Sequence, residues 1–95
     1  MSKVSATYNV DFYSDGTDTF SYDVNEPPLS LSGSPAEIIN PYFTCVNKVP
    51  AAPFMKTCEL DGTQINATFA APLPEKDIEL NTAVYNLRFT LVYEN

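Results

Sequence analysis

The chain has 95 residues with 44% hydrophobic side chains, a net charge of −7 with five basic residues, and no histidine. This length indicates one globular domain over residues 1–95, and the scarcity of Lys and Arg disfavours direct binding to nucleic acid or to anionic membranes. Without histidine, the usual general base near neutral pH and the commonest metal ligand are missing. We therefore predict a protein that is not an enzyme and that holds no cofactor or metal.

Two alternating stretches flank Asp15-Gly16 near the start of the chain. The apolar positions of the first stretch are Val4, Ala6, Tyr8, Val10 and Phe12, and those of the second are Phe20, Tyr22 and Val24. Each pattern predicts a half-buried strand, and Asp-Gly favours a hairpin. A two-residue loop would place the two apolar faces on opposite sides of the sheet. We therefore predict a three-residue loop, 14–16, that pairs Val10 with Phe20 and needs no ligand.

The next segment, 26–41, is rich in proline. Pro27 and Pro28 are expected to end the second strand, because proline cannot donate to a ladder. Ser34, Pro35 and Glu37 have the spacing of an N-cap, a first-turn proline and a capping box. This spacing predicts one short helical turn near residues 35–40, which Pro41 ends.

A strand over 42–49 and a second hairpin are predicted next. Phe43 and Cys45 share the apolar face of that strand, and a proline corner follows at 50–53. In the hairpin, a two-residue Asp61-Gly62 loop pairs Cys58 with Ile65 and Phe54 with Phe69 without a phase conflict. Lys56 is the one residue that does not fit this apolar face.

The last predicted strand covers 82–94 and is about 40 Å long. Its apolar positions alternate over the whole length, which indicates a central strand. They are Ala83, Tyr85, Leu87, Phe89, Leu91 and Tyr93. Taken together, the segments predict an all-β fold, a small antiparallel β-sandwich or barrel of Ig-like or Greek-key-like type.

Cys45 and Cys58 are interpreted as buried free thiols, with a disulfide as the less favoured alternative. Asp11, Asp15, Asp18 and Asp23 lie near one turn, but they lack the spacing and the bidentate Glu of a calcium loop. No catalytic, cofactor or metal residue is therefore assigned.

Residues that contact a partner are sought among aromatic side chains that fall off the apolar phase and among the proline corners. Tyr8, Tyr22, Tyr85 and Tyr93 are in phase and are predicted to lie in the core. The candidate contacts are Tyr13, Tyr42, Pro27, Pro28, Pro50 and Pro53, together with the chain ends, Met1 and Asn95. Exposed aromatic side chains are typical interface anchors, and proline fixes a surface with little ordering cost.

The chain as a whole is short, acidic, all-β in pattern and rich in Pro and Tyr. Its first segment, MSKVSATYNV, is polar and has no apolar core of a signal peptide. In this profile it resembles the small decoration, or cement, proteins of tailed-phage capsids. The resemblance implies binding to the major capsid protein, often as a symmetric homo-oligomer, and a location in the virion after synthesis in the host cytoplasm.

Two other function classes stay open at this point. The acidic surface is also expected of a phage-encoded inhibitor that mimics DNA toward a host enzyme, which requires carboxylates clustered on one surface. A carbohydrate-binding module would instead require an exposed strip of aromatic rings.

Overall fold

A computed structural model describes residues 3–47 and 52–94, which form six β-strands and, over those ranges, no helix. The strands are β1 (Lys3–Tyr13), β2 (Thr19–Asp23), β3 (Glu37–Cys45), β4 (Met55–Asp61), β5 (Gln64–Phe69) and β6 (Val84–Glu94). They build two antiparallel three-stranded sheets, sheet I in the order β1-β6-β3 and sheet II in the order β2-β5-β4. The inner faces of the sheets pack on one core, so the predicted all-β fold is confirmed, and of the two predicted forms it is a sandwich and not a barrel.

The core confirms the period-two pattern on which the fold was predicted. In β6, the central strand of sheet I, the alternate side chains from Tyr85 to Leu91 are buried. In β5, the central strand of sheet II, Ile65, Ala67 and Phe69 are buried opposite them. Side chains at alternate positions point to one face of a strand, so each central strand supplies a continuous apolar row to the interior. Tyr8, Tyr22 and Tyr93 are half-buried against this core.

The predicted first hairpin is wrong. β1 pairs with β6 along its whole length and β2 pairs with β5, so that Val10 lies opposite Leu87 and Phe20 opposite Ala67. Residues 14–18 cross from sheet I to sheet II. Because β1 and β2 face the core from opposite sheets, their apolar faces meet across the interior without the phase conflict that a shared sheet would impose.

The predicted helical turn near residues 35–40 is also wrong. Glu37 opens β3, and Ile38 pairs with Leu91 of β6. Asn40 adopts a positive φ of 51°, and the register shifts between Ile39 and Tyr42. Pro41 lies inside this bulge, where the missing N–H costs no ladder bond. Pairing with the buried central strand overrides the local capping pattern.

The second hairpin is present, with a corrected loop and register. The loop residues are Gly62 and Thr63, so Leu60 pairs with Ile65 and Cys58 with Ala67. A bulge between Met55 and Thr57 then exposes Lys56 and sets Met55, not Phe54, opposite Phe69. The bulge explains the misfit of Lys56, because an extra residue reverses the phase of the strand.

Candidate protein-binding face

The outer face of sheet II is polar over its whole area. Its outward rows are Thr19-Thr68-Thr57, Ser21-Asn66-Glu59 and Asp23-Gln64-Asp61. Hydrogen bonds link Thr57 Oγ1 to Thr68 Oγ1 at 2.6 Å and the Ser21 hydroxyl to Asn66 Oδ1 at 2.8 Å. A face made of short polar side chains that bond one another offers a partner no apolar anchor.

The outer face of sheet I carries aromatic and aliphatic side chains. Tyr13 is 68% exposed and Tyr42 is 54% exposed, and Ile39 and Val46 are exposed on the same face. Tyr13 is the outward residue at the end of β1, and Tyr42 is the first residue of β3 after the Pro41 bulge. The two outer faces of the sandwich therefore differ, because only the outer face of sheet I adds exposed aromatic and aliphatic side chains to its polar ones.

Tyr42 is held by a cation next to it. The Arg88 Cζ lies 5.1 Å from the centroid of the Tyr42 ring, and the two residues are cross-strand partners. An Arg over an aromatic face is attracted by the ring quadrupole, which restricts the tyrosine ring. A preorganised Tyr-Arg pair is the kind of side-chain set that provides binding hot spots.

A polar network separates the two tyrosines. The Asn86 amide donates to Asp11 Oδ1 at 2.8 Å and to Asn9 Oδ1 at 3.3 Å. The tyrosines pair with Val84 and Arg88 of β6, so they are separated by about 14 Å along the strands and about 10 Å across them. The face therefore presents two separate anchors over a flat polar centre.

Phe54 extends the Tyr42 anchor around the free edge of β3. It is 71% exposed, and a cleft of about 370 Å³ joins it to Tyr42 and Pro53. The sequence pattern assigned Phe54 to the core. Lys56 was the signal that could have corrected this, because its misfit indicates the bulge that turns Phe54 outward.

The structure places only some of the other predicted contact residues near the tyrosines. Pro53 lines the Tyr42 cleft, whereas Pro27 and Pro28, joined by a cis peptide bond, are exposed in the connection from β2 to β3. This connection is held by the Tyr22 hydroxyl, which accepts a bond from the Leu29 N–H at 3.1 Å. Pro50, Met1 and Asn95 lie outside the described residues.

The acidic turn after β1 is accounted for by its own hydrogen bonds. Asp15 Oδ1 accepts from the Thr17 hydroxyl at 2.6 Å and from the Thr17 N–H at 3.2 Å. These bonds hold the pKa of the Asp15 carboxyl below its ordinary value. Over residues 3–47 and 52–94, no three Cys, Asp or Glu side chains are grouped so that they could hold a metal ion.

Both cysteines point toward the core, and no disulfide forms among the described residues. The Cys45 thiol donates to the carbonyl of Asn47. Burial, with a smaller contribution from Glu59, raises the pKa of the Cys58 thiol to about 11. A thiol with so high a pKa is a poor nucleophile at neutral pH, which agrees with a packing role for Cys58.

Comparisons with protein-family models, with curated proteins and with solved structures find no match for this chain. Within the part of the chain that is described, no helix has the length and apolar character needed to cross a membrane.

Proposed function

We propose that this chain is a non-enzymatic binding protein that attaches to a protein shell through the outer face of sheet I, as a capsid decoration protein attaches to the major capsid protein. The observation that carries the proposal is the difference between the two outer faces. Tyr13, Tyr42 and Arg88 lie on one of them, while the other is polar throughout. Tyr and Arg are enriched where proteins bind proteins.

The negative net charge of the chain favours a binding partner with basic groups on its surface. At −7, the protein is attracted to a positive surface at long range. On the outer face of sheet I, Arg88 is already engaged with Tyr42. The partner surface is therefore expected to offer two apolar pockets bordered by Lys or Arg. Repetition of such contacts over a lattice of identical subunits would give high avidity from modest single-site affinity.

Shells assembled from the major capsid protein of the same genome provide the test. The purified chain is mixed with the shells, which are then sedimented, and the bound ratio is measured over a concentration series. Saturable binding at a fixed ratio is expected, together with a higher temperature of shell disruption. No co-sedimentation at micromolar concentration would overturn the proposal.

Variants on the two outer faces make the test specific. The double variant Tyr13→Ser with Tyr42→Ser is expected to lose binding, because it removes both anchors from exposed positions. Glu59→Ala, an exposed change on the outer face of sheet II, is the matched control and should bind like the natural chain. Equal loss in both variants would mean that the outer face of sheet I is not the contact.

Carbohydrate binding is the second candidate, because Tyr13 and Tyr42 flank the polar side chains of Asn9 and Asn86 on the same face. Rings that stack on sugars, with amides between them, are a sugar-binding arrangement. A glycan array separates the two candidates, since hits that depend on both tyrosines would favour the sugar-binding role.

The charge distribution does not favour a DNA mimic. Three carboxylates, Asp23, Glu59 and Asp61, lie on the outer face of sheet II, Asp11 lies on that of sheet I, and Asp15 and Asp18 lie in the connection from β1 to β2. Carboxylates spread over both faces and a turn do not form the single row that would imitate a phosphate backbone.

A further inference from the structure

Over residues 3–47 and 52–94, three of the four free sheet edges carry features that block pairing with another chain. β2 is only five residues long, β3 is broken by its bulge at Pro41, and β4 has a bulge next to exposed Lys56. Short length, bulges, proline and lysine are the devices by which native sheets protect their edges. β1 is different, because its eleven residues pair with β6 without any register shift.

The hydrogen bonds of β6 show which residues of β1 point their backbone N–H and C=O groups to the free edge. The carbonyls of Val84 and Val92 accept bonds from Val46 and Ala36, which lie on the β3 side. The N–H and C=O groups of successive residues point to alternate sides of a strand. The odd-numbered residues of β6 therefore form their backbone hydrogen bonds with the even-numbered residues of β1. The odd-numbered residues of β1, from Lys3 to Tyr13, therefore direct their backbone groups to the free edge. In the described ranges, backbone hydrogen bonds of β1 go only to β6.

This edge is complementary to itself in one antiparallel register. When Thr7 lies opposite Thr7 of a second copy, Ser5 lies opposite Asn9 and Lys3 lies opposite Asp11. Each end of the contact then pairs a Lys with an Asp, and opposite charges across neighbouring strands stabilise a sheet. On the inner face, the same register sets Val4, which is 51% exposed, beside Val10 of the second copy.

We propose that two copies of the chain form a two-fold dimer by antiparallel pairing of their β1 edges, with Thr7 on the axis. The two copies of sheet I then form one continuous sheet, three strands from each. Both outer faces with their Tyr13 and Tyr42 anchors lie side by side in this dimer. The dimer does not depend on shell binding, so its test and the sedimentation test can fail separately.

The mass of the protein in solution is the first test, measured by light scattering after size exclusion. The natural chain is expected to be dimeric. Thr7→Pro is expected to be monomeric, because it removes an N–H from the free edge and leaves the bonds of β1 to β6 in place. Thr7→Val is the matched control, since it loses the same hydroxyl bond to Thr90 but keeps the N–H, and it should stay dimeric. A monomeric natural chain at millimolar concentration would overturn the proposal.

Disulfide trapping tests the register, and it does so even if Thr7→Pro does not fold. Opposed residues that share ladder bonds have Cα atoms about 5.5 Å apart, within disulfide range. Thr7→Cys is therefore expected to form a cross-linked dimer under mild oxidation, with the natural chain run alongside to show the background from Cys45 and Cys58. Ser5→Cys alone and Asn9→Cys alone should not cross-link, because their own copies are about 14 Å apart, whereas a mixture of the two should. Efficient cross-linking of Ser5→Cys alone, or none of Thr7→Cys, would contradict the register.

Discussion

The ring of Phe12 stacks on the ring of Phe20 with centroids 3.8 Å apart and planes 17° apart. Phe12 belongs to β1 of sheet I and Phe20 to β2 of sheet II, so the stack joins the two sheets rather than neighbouring strands. The chain between these residues crosses from one sheet to the other. The stack therefore holds the start and the end of the crossing segment together, and it closes one side of the core.

We expect Phe12 and Phe20 to be energetically coupled. Phe12→Leu and Phe20→Leu should each destabilise the fold, and the double variant should lose less than the sum of the single losses. The difference should be about 0.5–1.5 kcal/mol, as for other aromatic pairs. Urea unfolding of the four proteins in a double-mutant cycle measures it.

Phe54→Leu is the control for this cycle, because the Phe54 ring is exposed and lies outside the core. Its effect on the free energy of unfolding should stay within about 0.5 kcal/mol. Strict additivity of Phe12→Leu and Phe20→Leu would show that the stack does not couple the sheets.

The inward faces of the strands could be predicted from the sequence, but strand pairing could not. The alternation from Ala83 to Tyr93 is a property of one segment and directly reports burial on one face. A turn such as Asp15-Gly16, by contrast, needs the same residues whether the next strand joins the same sheet or the opposite one. Its Asx-type bonds to Thr17 are satisfied in either case, so local chemistry did not distinguish a hairpin from a crossing.

The two bulges show what a single misfit residue can reveal. Pro41 comes two residues after Ile39, the last residue that pairs with β6 before the register shift, and Lys56 interrupts an apolar face. Each marks a shift of phase, and the shifts decide that Tyr42 and Phe54 are exposed. The exposure of Tyr13 and Tyr42 was therefore predicted from the sequence, and that of Phe54 was missed although Lys56 indicated the bulge. The contact of Arg88 with Tyr42 required the register of the sheet.

Asp77 is expected to stabilise the connection from β5 to β6. It is 7% exposed, and its Oδ1 accepts from the N–H groups of Glu79 at 2.9 Å and Asn81 at 3.0 Å. Asp77→Ala leaves both N–H donors without their acceptor. The free energy of unfolding, measured with a chemical denaturant, should therefore fall by about 1–3 kcal/mol. Asp77→Asn keeps one acceptor oxygen and should cost less. Glu79→Ala, on an exposed side chain, is the control and should stay within about 0.5 kcal/mol; an equal loss there would count against the role of Asp77.

Gly16 is expected to resist substitution because its φ is +84°. A Cβ at this position would also lie 3.2 Å from Glu75 Oε1. Gly16→Ala should therefore lower the free energy of unfolding by about 1–2 kcal/mol, and Gly16→Asn by less, because asparagine tolerates positive φ. Thermal unfolding measures both, and repeating Gly16→Ala in a Glu75→Ala background separates the contact from the backbone strain. A loss that disappears in that background would show that the contact, not φ, is responsible.

The stability of the fold is expected to fall at alkaline pH through Cys58. The pKa of this thiol rises from 9.0 to about 11 because the side chain is buried, so the unfolded chain releases the proton first. The contribution to stability is fully present below pH 9.0 and is lost as the pH rises to about 11. Burial also raises the pKa of Tyr85 and of Tyr93, which adds a loss of the same sign. Urea unfolding over this range should therefore show a steep decline in the natural chain and a shallower one in Cys58→Ala. The same slope in both proteins would show that Cys58 does not contribute.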